Sequence, residues 1–457
     1  MDFTAIILAG GQGTRMKSPL PKVLHPVAGQ PMIGRVVSNC RQAGINELRV
    51  VIGHGGSLVK SVLEPIGVAT YVQEQQLGTA DAVKSAHLES LKSDVIIMNG
   101  DHPLITSDDL KSFISDFKEL KLDLAVVTVE LEDPSVFGRI VRKNNQLVSI
   151  VEAKDASMDT LKIKEVNTGI YVARAEVLQK YIPRIQNNNS KKEFYLTDLV
   201  DLAISDNLKV QAMLSKNTDV AHGVNSQVEL AEATKKVFFR KAKQLMDSGV
   251  IFIDPQSTYI EESVIVGAGS VIYPNVFLRG STAVGAFTVL ESNTFISDSI
   301  IGESVHVKAG SYIEQTIVKN KCSVGPYARL RPDTILEEEA HVGNFVEMKK
   351  VKFGKKSKAG HLTYLGDAEI GEEVNIGCGT ITCNYAADKK KYKTVIGDRV
   401  FVGSDSQLVA PVVVESDSII ASGTTVTKKV PAGALAIGRS PQVNKEGYAE
   451  KFKKKSE

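Results

Sequence analysis

Apolar positions obey one rule along the first half of the chain and another along the second. Up to about residue 225, short apolar runs alternate with stretches whose apolar residues recur at helical spacing. The runs are AIILAG (5–10), LRVVIG (48–53), DVIIMNG (94–100), LAVVTVEL (124–131) and GIYVA (169–173); the helical stretches include PMIGRVVSNCRQAG (31–44) and EFYLTDLVDLAIS (193–205). This alternation predicts an open α/β sheet, in which ligands bind at the carboxyl ends of the strands. Residues 226–248 contain neither Gly nor Pro and keep a helical apolar spacing, which predicts one long connecting helix.

From about residue 250 a six-residue beat replaces the helical one. Aliphatics fall at Val266, Ile272, Leu278, Val284, Leu290 and Ile296, then after a phase slip at Val318, Val324, Leu330, Leu336 and Val342. The beat returns at Ile396, Val402, Leu408, Val414, Ile420 and Val426, often with a small or β-branched residue two places earlier, as at Ser270, Thr282 and Thr288. Neither a strand nor a helix has this period; a solenoid does, each coil burying its apolar row only against its neighbours. The hexads resemble those of the left-handed parallel β-helix acyltransferases, and that resemblance implies a homotrimer. The expected class is α/β plus all-β: a Rossmann-like domain over 1–225, a linker helix over 226–249 and a left-handed β-helix over 250–457. Phase slips and the less regular stretch 343–369 are expected to be loops leaving the prism, and KFKKKSE (451–457) a solvated, disordered tail.

Composition narrows the function classes. With 55 Lys+Arg against 53 Asp+Glu, net charge gives no support for a nucleic-acid or acidic-membrane partner. The N-terminus lacks a basic region followed by a long apolar one, and no apolar run approaches the ~20 residues of a membrane span. Cys40, Cys322, Cys378 and Cys383 show no CxxC spacing, so neither a disulfide framework nor a zinc site is indicated. A cytoplasmic protein acting on small molecules is expected.

The glycines of LAGGQGTRM (8–16) follow the first strand directly, where backbone N–H groups can approach phosphate oxygens and Arg15 can donate to a leaving pyrophosphate. Alone, such a turn is also an ordinary strand-to-helix connection. LPKVL (20–24) adds Lys22, a second cation where a triphosphate needs one. The pattern differs from GxxxxGK(S/T), which disfavours ATP hydrolysis. Asp101 ends VIIMNG (95–100) and is placed to hold a divalent cation between phosphates, capping of the following helix being the alternative.

LAGGxGTRM followed by PK resembles the sugar-nucleotidyltransferase signature. The resemblance implies that Leu8, Ala9, Gly10 and Gly11 hold the nucleotide, and that Gln73 with QLGTA (76–80), through Gly78 and Thr79, positions it and selects uracil. It places Asn99, Gly100, Gly138, Glu152, Asn167 to Gly169 and Asn225 against nucleotide and sugar, with Asn225 the second Mg²⁺ ligand beside Asp101. The implied reaction is in-line attack by a sugar 1-phosphate oxygen on the α-phosphorus of UTP, catalysed by positioning and by neutralisation from Mg²⁺, Arg15 and Lys22.

Within the hexads lies a stretch too polar for simple coil packing: ARLRP (328–332), NFVEMKK (344–350) and KAGHLTYLGD (358–367). Here His361, Tyr364, Arg331 and Lys349 can meet at one groove. An ammonium must lose a proton before attacking a thioester, and imidazole is the usual base; a lone His in a β-rich core is otherwise structural. Together with GTITCNY (379–385), these motifs resemble the bacterial bifunctional N-acetylglucosamine-1-phosphate uridyltransferase/glucosamine-1-phosphate acetyltransferases over the whole chain. The resemblance makes His361 the base, gives Arg331, Lys349, Tyr364 and Asn375 the amino-sugar phosphate, and gives Cys378, Asn384, Tyr385, Ser404, Ser422 and Arg439 acetyl-CoA. Cys378 and Ser422 stand where alanines are common, and the run at 388–392 is one residue longer than usual, leaving its matching lysine unassigned. Two other readings stay open: a single-activity nucleotidyltransferase with a structural β-helix, and a non-catalytic sugar-nucleotide sensor.

Overall fold

A computed structural model of the chain describes residues 3–189 and 191–453. It divides into two compact units, Met1–Val237 and Phe238–Glu457, with the cut inside the helix Gln227–Asp247. Four of the five apolar runs begin, end or cross a strand of one sheet, and the fifth, GIYVA, completes Glu165–Ala173.

In the first unit the strand order is Val210–Leu214, Leu124–Glu130, Glu165–Ala173, Asp94–Asn99, Phe3–Ala9, Glu47–Ile52, Ala69–Val72. Phe3–Ala9 pairs in parallel with both Glu47–Ile52 and Asp94–Asn99 and is buried on both faces, which is why it reads as a continuous apolar run rather than an alternation. Glu165–Ala173 is antiparallel to both neighbours, a direction the apolar pattern does not encode. Its pairing slips between Asn167 and Tyr171, and Gly169, at φ 78°, takes the turn that this bulge requires.

The second unit is a parallel β-helix of the left-handed class. Successive coils pair in register at intervals of 17 or 18 residues, as in Leu278 with Ile296, Ile296 with Ile313 and Ile313 with Leu330. Each of these four side chains is fully buried, and each such burial contributes on the order of 1.5–3 kcal/mol. Of the small residues two places earlier, Ser270 bonds to the next coil, its Oγ donating to the Gly285 carbonyl at 2.9 Å and accepting from Thr288 N at 3.1 Å, whereas Thr282 Oγ1 donates to the Arg279 carbonyl of its own coil at 2.6 Å.

The expectation of loops over 343–369 is wrong. His341–Phe353 and Lys358–Ile370 are the two longest strands of the solenoid and pair with each other in parallel. Their polar residues point outward while Val342, Met348, Phe353, Ala359, Leu365 and Ile370 continue the inner rows, so outward chemistry was mistaken for loss of the fold. The phase slips are shortened faces: Ile296 to Ile301 is five residues, both buried. The true excursion is at 384–393, where the pairing interval jumps to 26, as in Ile381 with Gln407. Of the tail, Glu450–Lys453 forms a short helix with Lys451 and Phe452 exposed, and 454–457 lie outside the described residues. Among the described residues no helix is long and apolar enough to cross a membrane, and the four cysteines are free thiols.

Candidate active sites

In the first unit the glycine turn leaves the end of Phe3–Ala9 with little room for side chains. A Cβ on Gly10 would lie 3.2 Å from Gln73 Oε1, and one on Gly13, at φ 62°, would lie 2.8 Å from Lys22 Cβ. Beside Gly11 there is open space, so a ligand can reach that backbone. Gln73 is buried, with its amide nitrogen donating to Asp81 Oδ2 (2.8 Å) and the Gly78 carbonyl (3.2 Å), which leaves its oxygen toward Gly10. Gly78 sits at φ 125°, where a Cβ would press on the Phe194 backbone, and Thr79 Oγ1 accepts from Leu196 N at 3.0 Å. Residues 194–196 thus wall the turn, which no motif announced.

Asp101, at the end of Asp94–Asn99, is paired with Lys22 Nζ, which also donates to Asn225 Oδ1 at 3.0 Å. Burial works against the Asp101 carboxylate, but Lys22 and then His102 outweigh it and hold its pKa below the ordinary value. The following helix is capped by Thr106, whose hydroxyl accepts from Asp109 N at 3.1 Å, so Asp101 is not the cap. Asn225 N is held by Glu229 Oε2 at 2.6 Å, and Val224 N donates to the Asp101 carbonyl at 2.9 Å. One carboxylate and one carboxamide oxygen on facing segments are hard donors of the kind Mg²⁺ takes alongside phosphates and water.

Two adjoining cavities collect the remaining residues. One holds Ala9, Gly10, Gly11, Lys22, Gln73 and Gly78; the other holds Arg15, Gly138, Glu152, Asn167 and Asn225; Leu8, Thr79, Asn99 and Asp101 line both. Glu152 has its pKa raised, chiefly by burial, against the pull of Lys191. Asn167 donates to Tyr171 Oη at 2.9 Å and accepts from Gly169 N at 2.9 Å, so the bulge fixes its amide. Gly100 stands behind the site: its N–H bonds to the Leu8 carbonyl at 2.8 Å and a Cβ would meet Ile33. Sequence reasoning missed Tyr171, His102 and the segment 221–224 of the lining; Tyr171 lay inside GIYVA and read as strand filling.

In the second unit the groups line one edge of the solenoid. Arg331 donates to Glu347 Oε1 at 2.8 Å, Glu347 is in register with Tyr364, and Asn344 is in register with His361. His361 is exposed, and its carbonyl accepts from Thr363 Oγ1 at 2.8 Å. Lys349 faces Lys391 and Arg331, whose charges, in that order, lower its pKa; three cations so close call for an anion. Lys391 forms a backbone β-bridge with Tyr385 within the 384–393 excursion. Buried Asn384 donates to Asp367 Oδ2 at 2.5 Å, while Tyr385 is exposed.

His361, Cys378, Ser404 and Ser422 occupy equivalent places in successive coils. His361 and Cys378 are separated by the 17-residue interval of the pairs Lys358 with Asn375 and Tyr364 with Ile381 that flank them, and Asp405 N donates to the Cys378 carbonyl (2.7 Å) and Gly423 N to that of Ser404 (2.9 Å). At the usual spacing of about 4.8 Å per strand, this column spans roughly 14 Å. Arg439 closes it by donating to the Ser422 carbonyl at 2.6 Å. Asn375 is one face earlier, exposed beside Lys358 and Phe401. Among the described residues no cluster of three or more His, Cys, Asp or Glu suited to a metal occurs.

Residues 5–156 match the MobA-like NTP transferase domain, 255–356 the GMPPB C-terminal domain, and 393–428 the bacterial transferase hexapeptide with six repeats. The chain is 63% identical to a bifunctional protein GlmU of Bdellovibrio bacteriovorus over 98% of both chains. Proteins of the same name from Trichlorobacter lovleyi and Alkaliphilus metalliredigens are 47% and 45% identical, again over 98% of both chains.

Proposed function

The chain belongs to the family of the bifunctional GlmU proteins, and from that premise we propose how its two sites divide the reaction. It is a bifunctional enzyme of UDP-N-acetylglucosamine synthesis. The second unit acetylates glucosamine 1-phosphate with acetyl-CoA, and the first transfers UMP from UTP to N-acetylglucosamine 1-phosphate and releases pyrophosphate.

The observation that supports the reading is that each unit gathers charged groups of its own, Lys22 with Asp101 and Asn225 in one and Lys349 with Arg331 and Lys391 in the other, where His361 stands on the strand that pairs with that of Lys349. In the second unit the phosphate of the amino sugar is held by Arg331, Lys349 and Lys391, with Tyr364 and Asn375 against the sugar. His361 accepts a proton from the substrate ammonium, the freed amine attacks the thioester carbonyl, and the C–S bond breaks to release CoA. The extended pantetheine arm of acetyl-CoA lies along Cys378, Ser404 and Ser422, with Asn384, Tyr385 and Arg439 beside it.

In the first unit Gly10 and Gly11 present backbone N–H groups to the triphosphate, and the Gln73 oxygen accepts from the imide N–H of uracil. Gly138, Glu152, Asn167 and Asn225 surround the sugar. A sugar-phosphate oxygen attacks the α-phosphorus while the bond to the β-phosphate breaks, with Arg15 and Lys22 neutralising the departing pyrophosphate. Asp101 and Asn225 would hold Mg²⁺, which supplies further neutralisation of the phosphates when bound.

We place the enzyme in the cytoplasm as a homotrimer. The open edge that carries His361 supports the trimer, since a small substrate needs a wall there. The test is a paired assay of wild type and His361→Ala: CoA release from acetyl-CoA plus glucosamine 1-phosphate, and pyrophosphate release from UTP plus N-acetylglucosamine 1-phosphate. Loss of CoA release alone is the expected result; a wild type that never releases CoA would leave the β-helix structural.

A further inference from the structure

His102 lines the cavity of the first unit, yet neither the motifs nor the reaction above gives it a task. It follows Asp101 directly and is 6% exposed. Its Nδ1 lies 3.0 Å from the Val220 carbonyl oxygen. A carbonyl oxygen only accepts, so Nδ1 carries the proton, and in the neutral ring Nε2 is left with a lone pair. That lone pair stands 3.4 Å from Asn99 Nδ2, whereas the Asp101 Oδ1 atom, at 3.7 Å, is beyond hydrogen-bond reach. An acceptor at this place orients the Asn99 carboxamide, drawing its N–H to the ring and leaving its oxygen for another donor.

The ring also sits in a slot between two functional segments. On one side is the strand end 99–101; on the other is the segment 220–225, which carries Asn225. Gly223 is close enough that a Cβ there would lie 2.9 Å from Nε2, and Val224 N bonds to the Asp101 carbonyl at 2.9 Å. Any larger residue at 223 would push the ring off Asn99.

We propose that His102 is a positioning residue of the nucleotidyl-transfer site: it turns the Asn99 carboxamide so that its oxygen accepts from a hydroxyl or N–H group of the bound sugar nucleotide, and it braces the Asn225 segment against the strand end. This rests on reading the cavity as the UDP-sugar site. The distinctive consequence is that His102 acts through Asn99.

The test is a double-mutant cycle on the full chain, read by calorimetric binding of UDP-N-acetylglucosamine to wild type, His102→Asn, Asn99→Ala and the double variant. Asn keeps a donor near Val220 but removes the acceptor at the Nε2 position. Each single variant is expected to bind about tenfold more weakly, or about 1.4 kcal/mol, and the double variant no more weakly than Asn99→Ala. His102→Gln, whose oxygen can reach the Nε2 position, is expected to return to within about threefold of wild type, which guards against a folding artefact in His102→Asn. A ring that merely fills space predicts losses that follow the melting temperature and multiply with Asn99→Ala; that result, or a His102→Asn affinity within twofold of wild type, overturns the proposal. Wild-type pyrophosphate release judges the reaction separately. If wild type does not bind UDP-N-acetylglucosamine, the sugar-nucleotide reading falls, and with it this proposal.

Discussion

The two sites are built in opposite ways. The first unit assembles its site by convergence: the ends of strands far apart in sequence meet at one edge of a sheet, so Lys22 of an early turn touches Asp101 and Asn225. The second assembles its site by translation, since moving one coil along the axis carries His361 to Cys378, then to Ser404 and Ser422. Convergence makes a concave pocket from residues that differ at every position. Translation makes a linear track, suited to an extended substrate, and His361, the proposed base, is exposed. A local change should therefore disable the first site in several ways and the second only at the coil it touches.

The largest effect expected is that of His361→Ala, a fall in acetyl transfer of about 10²–10⁴-fold with pyrophosphate release unchanged, checked by the paired assay. Lys22→Ala should lower uridylyl transfer by about 10²–10³-fold while CoA release stays within twofold, measured the same way; a parallel fall in both activities would break the contrast between separate sites. Leu330→Ala, in the shared core of the coils, should cost about 2–5 kcal/mol, read as a lower unfolding midpoint of the second unit in urea with CoA release lost first. Gly78→Ala forces a side chain into φ 125° against the Phe194 backbone and should cost about 1–3 kcal/mol, followed by thermal melting, with a raised KM for UTP as its functional sign. Smallest is Lys391→Ala, for which a rise in KM for glucosamine 1-phosphate of about tenfold with little change in kcat would place this lysine on the substrate phosphate.

Legibility in the sequence followed the same division. The hexads were readable because translation repeats itself: a buried Leu or Ile every sixth residue needs no knowledge of its partner, which is always the same position one coil away. Where the fold kept its inner row but carried chemistry outside, at 343–369, polar residues hid the repeat, and the stretch read as loop although it holds the longest strands. In the first unit the strands and the Gly-rich turn were visible, and the resemblance of LAGGQGTRM (8–16) to a known signature placed its residues. His102, Tyr171 and the wall at 194–196 were not visible, because their meaning lies in what faces them.

By itself the sequence determined the two kinds of fold, the parallel stack of the second half and the donors carried by local motifs, since each depends on spacing along the chain. Only the tertiary structure decided that Glu165–Ala173 runs antiparallel, that Lys22 bridges Asp101 and Asn225, that Lys391 joins Lys349 and Arg331, and that His102 faces Asn99. The physical reason is that hydrogen bonds and charge pairs act over about 3–4 Å in space, and no periodicity along the chain reports which distant residues the packing of a sheet will bring within that range.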